Sequence, residues 1–470
     1  MNALTKDRWL PALPWIAGAL GVVAMLAWLT RGPDPSLTAR LPGADAPPGA
    51  ESATLTNAVL AGKLTTGPGQ PMEGATAAWP GFRGANLNSS LESPGSIARS
   101  WDTAGPRKLW TVPVGDGYAG PAVRAGRVYL VDYDQERRED AVRCLSLADG
   151  REIWRFAYPV VVKRNHGMSR TVPAVTDKYV VTIGPKCHVA CLDATTGELQ
   201  WGLDMVRVFG TTVPPWYAGQ CPLIEGDRLI LAPGGPEALM VALDLATGQL
   251  LWQTPNPNDW KMTHSSITPI EFAGQRQYVY CASHGVVGVA ADGGQLLWET
   301  TDWKITIATV PAPVVVGDGR LFLSGGYNAG ALLLQLVEKD GKITAQTIRR
   351  YDPQVFGSTQ HTPIFHANHI FGIRPDGKFV CLNLESGVVW TSEPGSNFGL
   401  GPYLRAADVI FVLSERGSLA LVEATPAGFN RLATAEIFKG HEAWGPMALV
   451  DGRLLLRDYS RLFCLDVAAK

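Results

Sequence analysis

The sequence predicts an all-β fold, a closed eight-bladed β-propeller, and three observations carry that prediction. A strand–turn–strand pattern recurs along the chain. Each recurrence follows an apolar strand led by proline. The last copy lacks an outer strand, and a spare strand stands before the first copy.

The clearest copy is ValAlaCysLeuAspAlaThrThrGlyGluLeuGlnTrp, Val189 to Trp201. Val189, Cys191 and Leu192 are apolar and strand-prone. Asp193 to Gly197 is turn material, because an Asp carboxylate accepts from backbone amides ahead of it and Gly takes positive φ. Leu199 and Trp201 restart the apolar alternation. A lone hairpin cannot bury its apolar face, so the unit needs neighbours. Further copies end at Trp154, Trp252, Trp298 and Trp390, and weaker ones at Ala345 and Arg431 without the Trp. Their spacing, roughly forty to fifty residues, is the period of a propeller blade.

With 470 residues, 46% hydrophobic and 18% charged, the chain is long enough for a large β-domain. A net charge of -2 and no arginine-rich stripe give no reason to expect nucleic acid. Of seven cysteines, Cys144, Cys191, Cys381 and Cys464 share one repeat register, where other copies have Ala242 or Ala290. They read as small buried apolar residues, too far apart between blades for disulfides.

The domain organisation follows in order. Residues 1–9 form a short N-terminus, and 10–30 are an uncharged apolar run of bilayer length, expected to be a transmembrane anchor. Lys6 and Arg8 place the N-terminus in the cytoplasm and the rest outside it. Residues 31–78, rich in Pro, Gly, Ala and Thr, are expected to be a disordered tether. Residues 79–470 form the propeller, opened by TrpProGlyPheArgGly, 79 to 84. A Pro opens an apolar inner strand at Pro121, Pro173, Pro222, Pro269, Pro313, Pro363, Pro402 and Pro446. Leu109 to Val114, carrying Trp110, is expected to complete the last blade and close the ring. The charged run 134–140 reads as an extended solvated loop or a docking surface.

These hairpins, with the ProAlaVal-type inner strands, resemble the pyrroloquinoline-quinone-type (PQQ-like) β-propeller repeat family across roughly residues 79–470. The opening TrpProGlyPheArgGly is similar to that of envelope-directed bacterial members. The resemblance implies that Trp110, Trp154, Trp201, Trp252, Trp298 and Trp390 dock between blades. It also implies one of two functions. Quinoprotein dehydrogenases oxidise alcohols or sugars with PQQ and Ca²⁺ in the central funnel. The propeller subunit of the outer-membrane β-barrel assembly machinery binds partner proteins without a cofactor.

No adjacent cysteine pair and no acid–amide–acid set matches the dehydrogenases, so no cofactor is expected, and PQQ with calcium is kept as the alternative. The reading is a membrane-anchored, non-catalytic scaffold on the periplasmic side of the bacterial cell envelope, with envelope proteins as partners. Ligand-site candidates come from the loops before each inner strand: Tyr118, Arg170, Gln220, Ser265 with Ser266, Thr309, Gln360, His361 and Trp444, with His166, Trp216 and His264 slightly upstream. Such a ring either holds an anion, with Arg170 as charge and Trp444 or Tyr118 as stacking face, or lines a wet channel. The second reading is favoured. His366 and His369 fall in a turn away from His361, so no metal site is expected.

Overall fold

Each proline-led repeat folds into one antiparallel blade, and eight blades are formed. The structure is a computed structural model and describes residues 13–30, 57–102 and 104–469. It divides into two units, Met1–Pro47 and Pro48–Lys470.

The first unit holds one helix, Leu13–Leu29, with Trp15, Leu20 and Trp28 exposed. Its 17 residues reach about 25 Å, short of a bilayer core of about 30 Å. Among the described residues, no helix is long and apolar enough to cross a membrane. The expected transmembrane span 10–30 is thus not shown: 13–29 of it form an apolar helix, and residues 10–12 lie outside the described residues, as do 1–9 and 31–56.

In the second unit the blades cover residues 122–159, 174–204, 223–254, 268–300, 314–351, 364–391, 403–436 and 448–466. Arg107–Pro113 pairs with Arg461–Asp466 and supplies the missing outer strand of blade 8. The ring is thus closed as the strand arithmetic predicts. Arg457, 1% exposed, fixes this seam. Its guanidinium donates to the carbonyls of Gly115 and Ala119 before blade 1 and of Asp458 and Tyr459 in blade 8.

The repeat register has a steric cause. Cys144, Cys191, Ala242, Cys381 and Cys464 stand opposite Trp154, Trp201, Trp252, Trp390 and Trp110. In blade 4 the equivalent residue is Gly288 opposite Trp298, not Ala290. A Cβ on Gly288 would lie 2.0 Å from the Trp298 indole nitrogen. Each small residue makes room for the indole, and the strand bulges at the next position. The indoles then reach the following blade. Trp110 Nε1 donates to Leu147 O, Trp201 Nε1 to Leu245 O, Trp252 Nε1 to Ala291 O and Trp390 Nε1 to Thr425 O. Gly248, at φ 71°, lies under Trp201, where a Cβ would meet the ring at 2.7 Å. Trp298 instead donates to Gln277 within its own blade, and Trp154 Nε1 has no partner. All seven cysteines are buried free thiols.

Part of the segment expected to be a tether is structured. Asn57 caps a short 3-10 turn, Ala58–Ala61, and Val59 is fully buried against blades 1 and 2. Lys63–Thr66 then adds a fifth strand to the outer edge of blade 1. The run 134–140 is likewise not an extended loop. It is the tight turn between Arg127–Asp134 and Glu139–Ser146, and Asp140 is 1% exposed.

The stretch from Trp79 onward crosses one end of the channel. Trp79 exchanges backbone hydrogen bonds with Val123 of blade 1, and Pro80 O accepts from Val175 of blade 2. Arg83 and Asn86–Asn88 then line a cleft with the inner strands of blades 4 and 5, and Ser90–Leu91 pairs in parallel with blade 7. That end of the channel is covered by the protein's own chain.

Candidate functional site

At the other end, the loops feeding the inner strands converge around a cavity of about 290 Å³. Of the predicted candidates, Tyr118, Arg170, Gln360, His361 and Trp444 line it, as do the upstream His166, Trp216 and His264. Four predicted residues do not. Gln220 is fully buried and clamps both backbone groups of Ala232. Ser265 Oγ donates to Pro311 O, and Ser266 Oγ accepts from the Cys221 amide. Thr309 faces a separate groove with Thr263 and Ile307. Phe82, from the crossing segment, and Tyr327 also line the cavity, and neither was among the candidates. No repeat register marks them, since one comes from outside the repeats and the other from a blade 5 hairpin.

The wall has an ordered aromatic side. Tyr118 stacks on Trp444 with centroids 5.0 Å apart and planes at 28°, and the Arg170 guanidinium lies 4.9 Å from the Tyr118 centroid. Two carboxylates hold this arrangement from behind. The Tyr118 hydroxyl donates to Glu442 Oε2 at 2.6 Å, and Trp444 Nε1 donates to Glu415 Oε2 at 3.1 Å. Burial, then the Glu442 carboxylate, holds the Tyr118 phenol protonated well above its ordinary range.

Among the described lining residues, the one Lys or Arg is Arg170. Arg170 Nε donates to Trp216 O, while its Nη2 is buried without a hydrogen-bond partner. Among the described residues Arg170 makes no ion pair, and burial pushes its pKa down. Burial also holds His264 and His361 down to about 4, so both imidazoles are neutral at pH 7. For His264, Arg170 adds a repulsive contribution. His361 Nε2 is buried and unpartnered. Backbone strain gathers at the same wall: His166, Trp216 and Tyr217 adopt φ of 56°, 62° and 74°. Such non-glycine positions cost on the order of 1 kcal/mol or more and persist where surrounding contacts enforce them.

A family model described as outer membrane protein assembly factor BamB matches residues 138–393, more than half of the chain. The chain belongs to that family. It is 22% identical over 367 residues to the outer membrane protein assembly factor BamB of Moranella endobia, covering 74% of each chain. Among solved structures it resembles BamB from Moraxella catarrhalis, with a TM-score of 0.52 at 15% identity over 77% of this chain and 99% of that one. It also resembles the quinohemoprotein alcohol dehydrogenase from Comamonas testosteroni, with a TM-score of 0.57 at 13% identity over 84% and 81%. At these identities the likeness to solved structures establishes the propeller and nothing more specific.

The residues of this BamB-family cavity do not fit PQQ with calcium. Calcium takes six to eight oxygen ligands, carboxylates prominent among them. Among the described residues, no Asp or Glu lines the cavity, and no cluster of three or more His, Cys, Asp or Glu could hold a metal ion. The nearby Glu442 and Glu415 are engaged by Tyr118 and Trp444. Among the described lining residues, a triply anionic quinone would face one lysine or arginine, Arg170.

Proposed function

We propose that the protein is a non-catalytic binding scaffold for outer membrane protein assembly in the bacterial cell envelope. The match of residues 138–393 to the assembly-factor family carries this reading. The architecture suits it, because a closed ring of interlocked blades presents rigid faces and keeps its variable loops on a fixed frame. The apolar helix Leu13–Leu29 attaches the chain to a membrane, the propeller residues 79–470 face the periplasm, and envelope proteins dock on the blades. The alternative, a PQQ-dependent dehydrogenase, lacks carboxylates at the cavity to hold a cofactor metal.

The test is removal of the gene from its host. Folded β-barrel proteins in the outer membrane should fall in amount and recover on complementation with the full chain. Unchanged levels would overturn the assembly role. Extraction of membranes with alkaline carbonate checks the attachment, which predicts retention for the full chain and release once residues 1–30 are deleted.

A further inference from the structure

Arg170 is a cation placed where a cation is costly. It lies against Tyr118, spends one hydrogen bond on a backbone carbonyl, and keeps Nη2 buried and unsatisfied. Leaving such a donor unpaired is unfavourable, and an anion in the cavity would relieve it. The rest of the lining limits what that anion is. Among the described lining residues Arg170 is the one Lys or Arg, none is Asp or Glu, and His264 and His361 are neutral, so the cavity suits a ligand with a single negative charge. Aromatic residues make up much of the remaining lining: the Tyr118–Trp444 stack, Trp216, Tyr327 at 43% exposure, and Phe82. At the wall contributed by the blade 6 loop, the buried and unbonded His361 Nε2 offers a second polar contact.

We propose that this cavity is a metal-independent binding site for a small aromatic monocarboxylate. Arg170 takes the carboxylate, the aromatic wall takes the ring, and His361 meets a polar substituent on the ligand's far side. The volume of about 290 Å³ has room for a ligand of one ring.

The experiment titrates the full-length protein with 4-hydroxybenzoate in EDTA, read by tryptophan fluorescence and calorimetry. Saturable binding is expected with a dissociation constant on the order of 0.1 to 1 mM, typical for so few ligand atoms. The uncharged 4-hydroxybenzamide should bind at least about tenfold more weakly, as should 4-hydroxybenzoate to Arg170→Gln, because each removes the charged contact. Tyr327→Ala, a change at a half-exposed ring, should weaken binding and leave the melting temperature unchanged, which keeps the test decisive if Arg170→Gln fails to fold. The proposal is overturned by no saturable binding up to about 10 mM, by equal binding of the amide, by unchanged affinity in a folded variant, or by binding that requires calcium. Its failure leaves the assembly role standing, since that role rests on the family match and is read from outer membrane protein levels.

Discussion

Asp140 makes stability depend on pH in a direction opposite to that of most carboxylates. It lies in the third strand of blade 1, 1% exposed. Oδ2 accepts from the Tyr158 hydroxyl at 2.5 Å, and Oδ1 is buried without a partner. Burial, with a smaller repulsion from Asp132, raises the carboxyl from 3.8 to about 7 against the lowering effect of the Tyr158 bond. The native state therefore holds a proton that the unfolded chain has released, so stability falls as pH rises from about 4 and levels off above about 7. The interval from 3.8 to about 7 corresponds to about 4 kcal/mol of penalty at pH 8. Asp140→Asn keeps an acceptor for Tyr158 and removes the titration. Urea unfolding of both proteins between about pH 4.5 and about pH 8.5 reads the difference between them, in which all other titrating groups cancel. The variant should gain on the wild type up to about pH 7 and then hold level, by about 3 kcal/mol in all across this range. A gap independent of pH, or one that shifts in favour of the wild type as pH rises, would refute the reasoning.

Arg457→Met should cost about 3 to 5 kcal/mol in thermal or urea unfolding, because it strips donors from carbonyls at the ring seam, and Arg457→Lys should not restore it. Trp201→Phe should destabilise by about 1 kcal/mol more than Trp154→Phe, since the Trp201 indole donates to Leu245 O and the Trp154 indole has no partner. Val59→Asp should expose residues 57–78 to limited proteolysis while the blades stay intact, a charge at a fully buried site costing at least about 3 kcal/mol locally. All seven thiols should remain inert to a disulfide reagent at pH 8 until the protein unfolds, because each is buried and those of Cys187, Cys191, Cys281, Cys381 and Cys464 are pushed up to about 12.

The blades were legible because their determinants are local. A turn glycine, a proline before the inner strand and a tryptophan at the end of the outer strand recur within one period, and the spare strand before Pro121 announced ring closure. The cavity was only partly legible. Counting back from each proline found Tyr118, Arg170 and Trp444, but the same count selected Gln220, which is spent on Ala232 of its own blade, and Ser265, which donates to Pro311 O of the next. Phe82 and Tyr327 come from outside that count, and their convergence depends on how the ring closes. Asp140 read as solvated because its neighbours are charged, although the strand pleat turns it inward. The strap at 57–66 escaped notice because one apolar residue, Val59, anchors a stretch of otherwise tether-like composition. The apolar run of residues 10–30 reads as a span because its composition is uniform, whereas the helix described within it covers 17 residues.

The N-terminal crossing segment has a consequence for how the chain reaches its native state. Ala98 donates to Val467 O, and Arg107 pairs with Asp466, 359 positions later. At a synthesis rate of about 5 to 20 residues per second, the strand Arg107–Pro113 waits roughly 20 to 70 s for its partner to be made. Until then Trp110 and its neighbours have no sheet to join, and blade 1 has neither Arg457 nor the blade 8 core beside it. Ring closure is thus the last event the chain can complete. The interval before it is when the nascent protein exposes a bare strand edge to other chains and has most need of a chaperone.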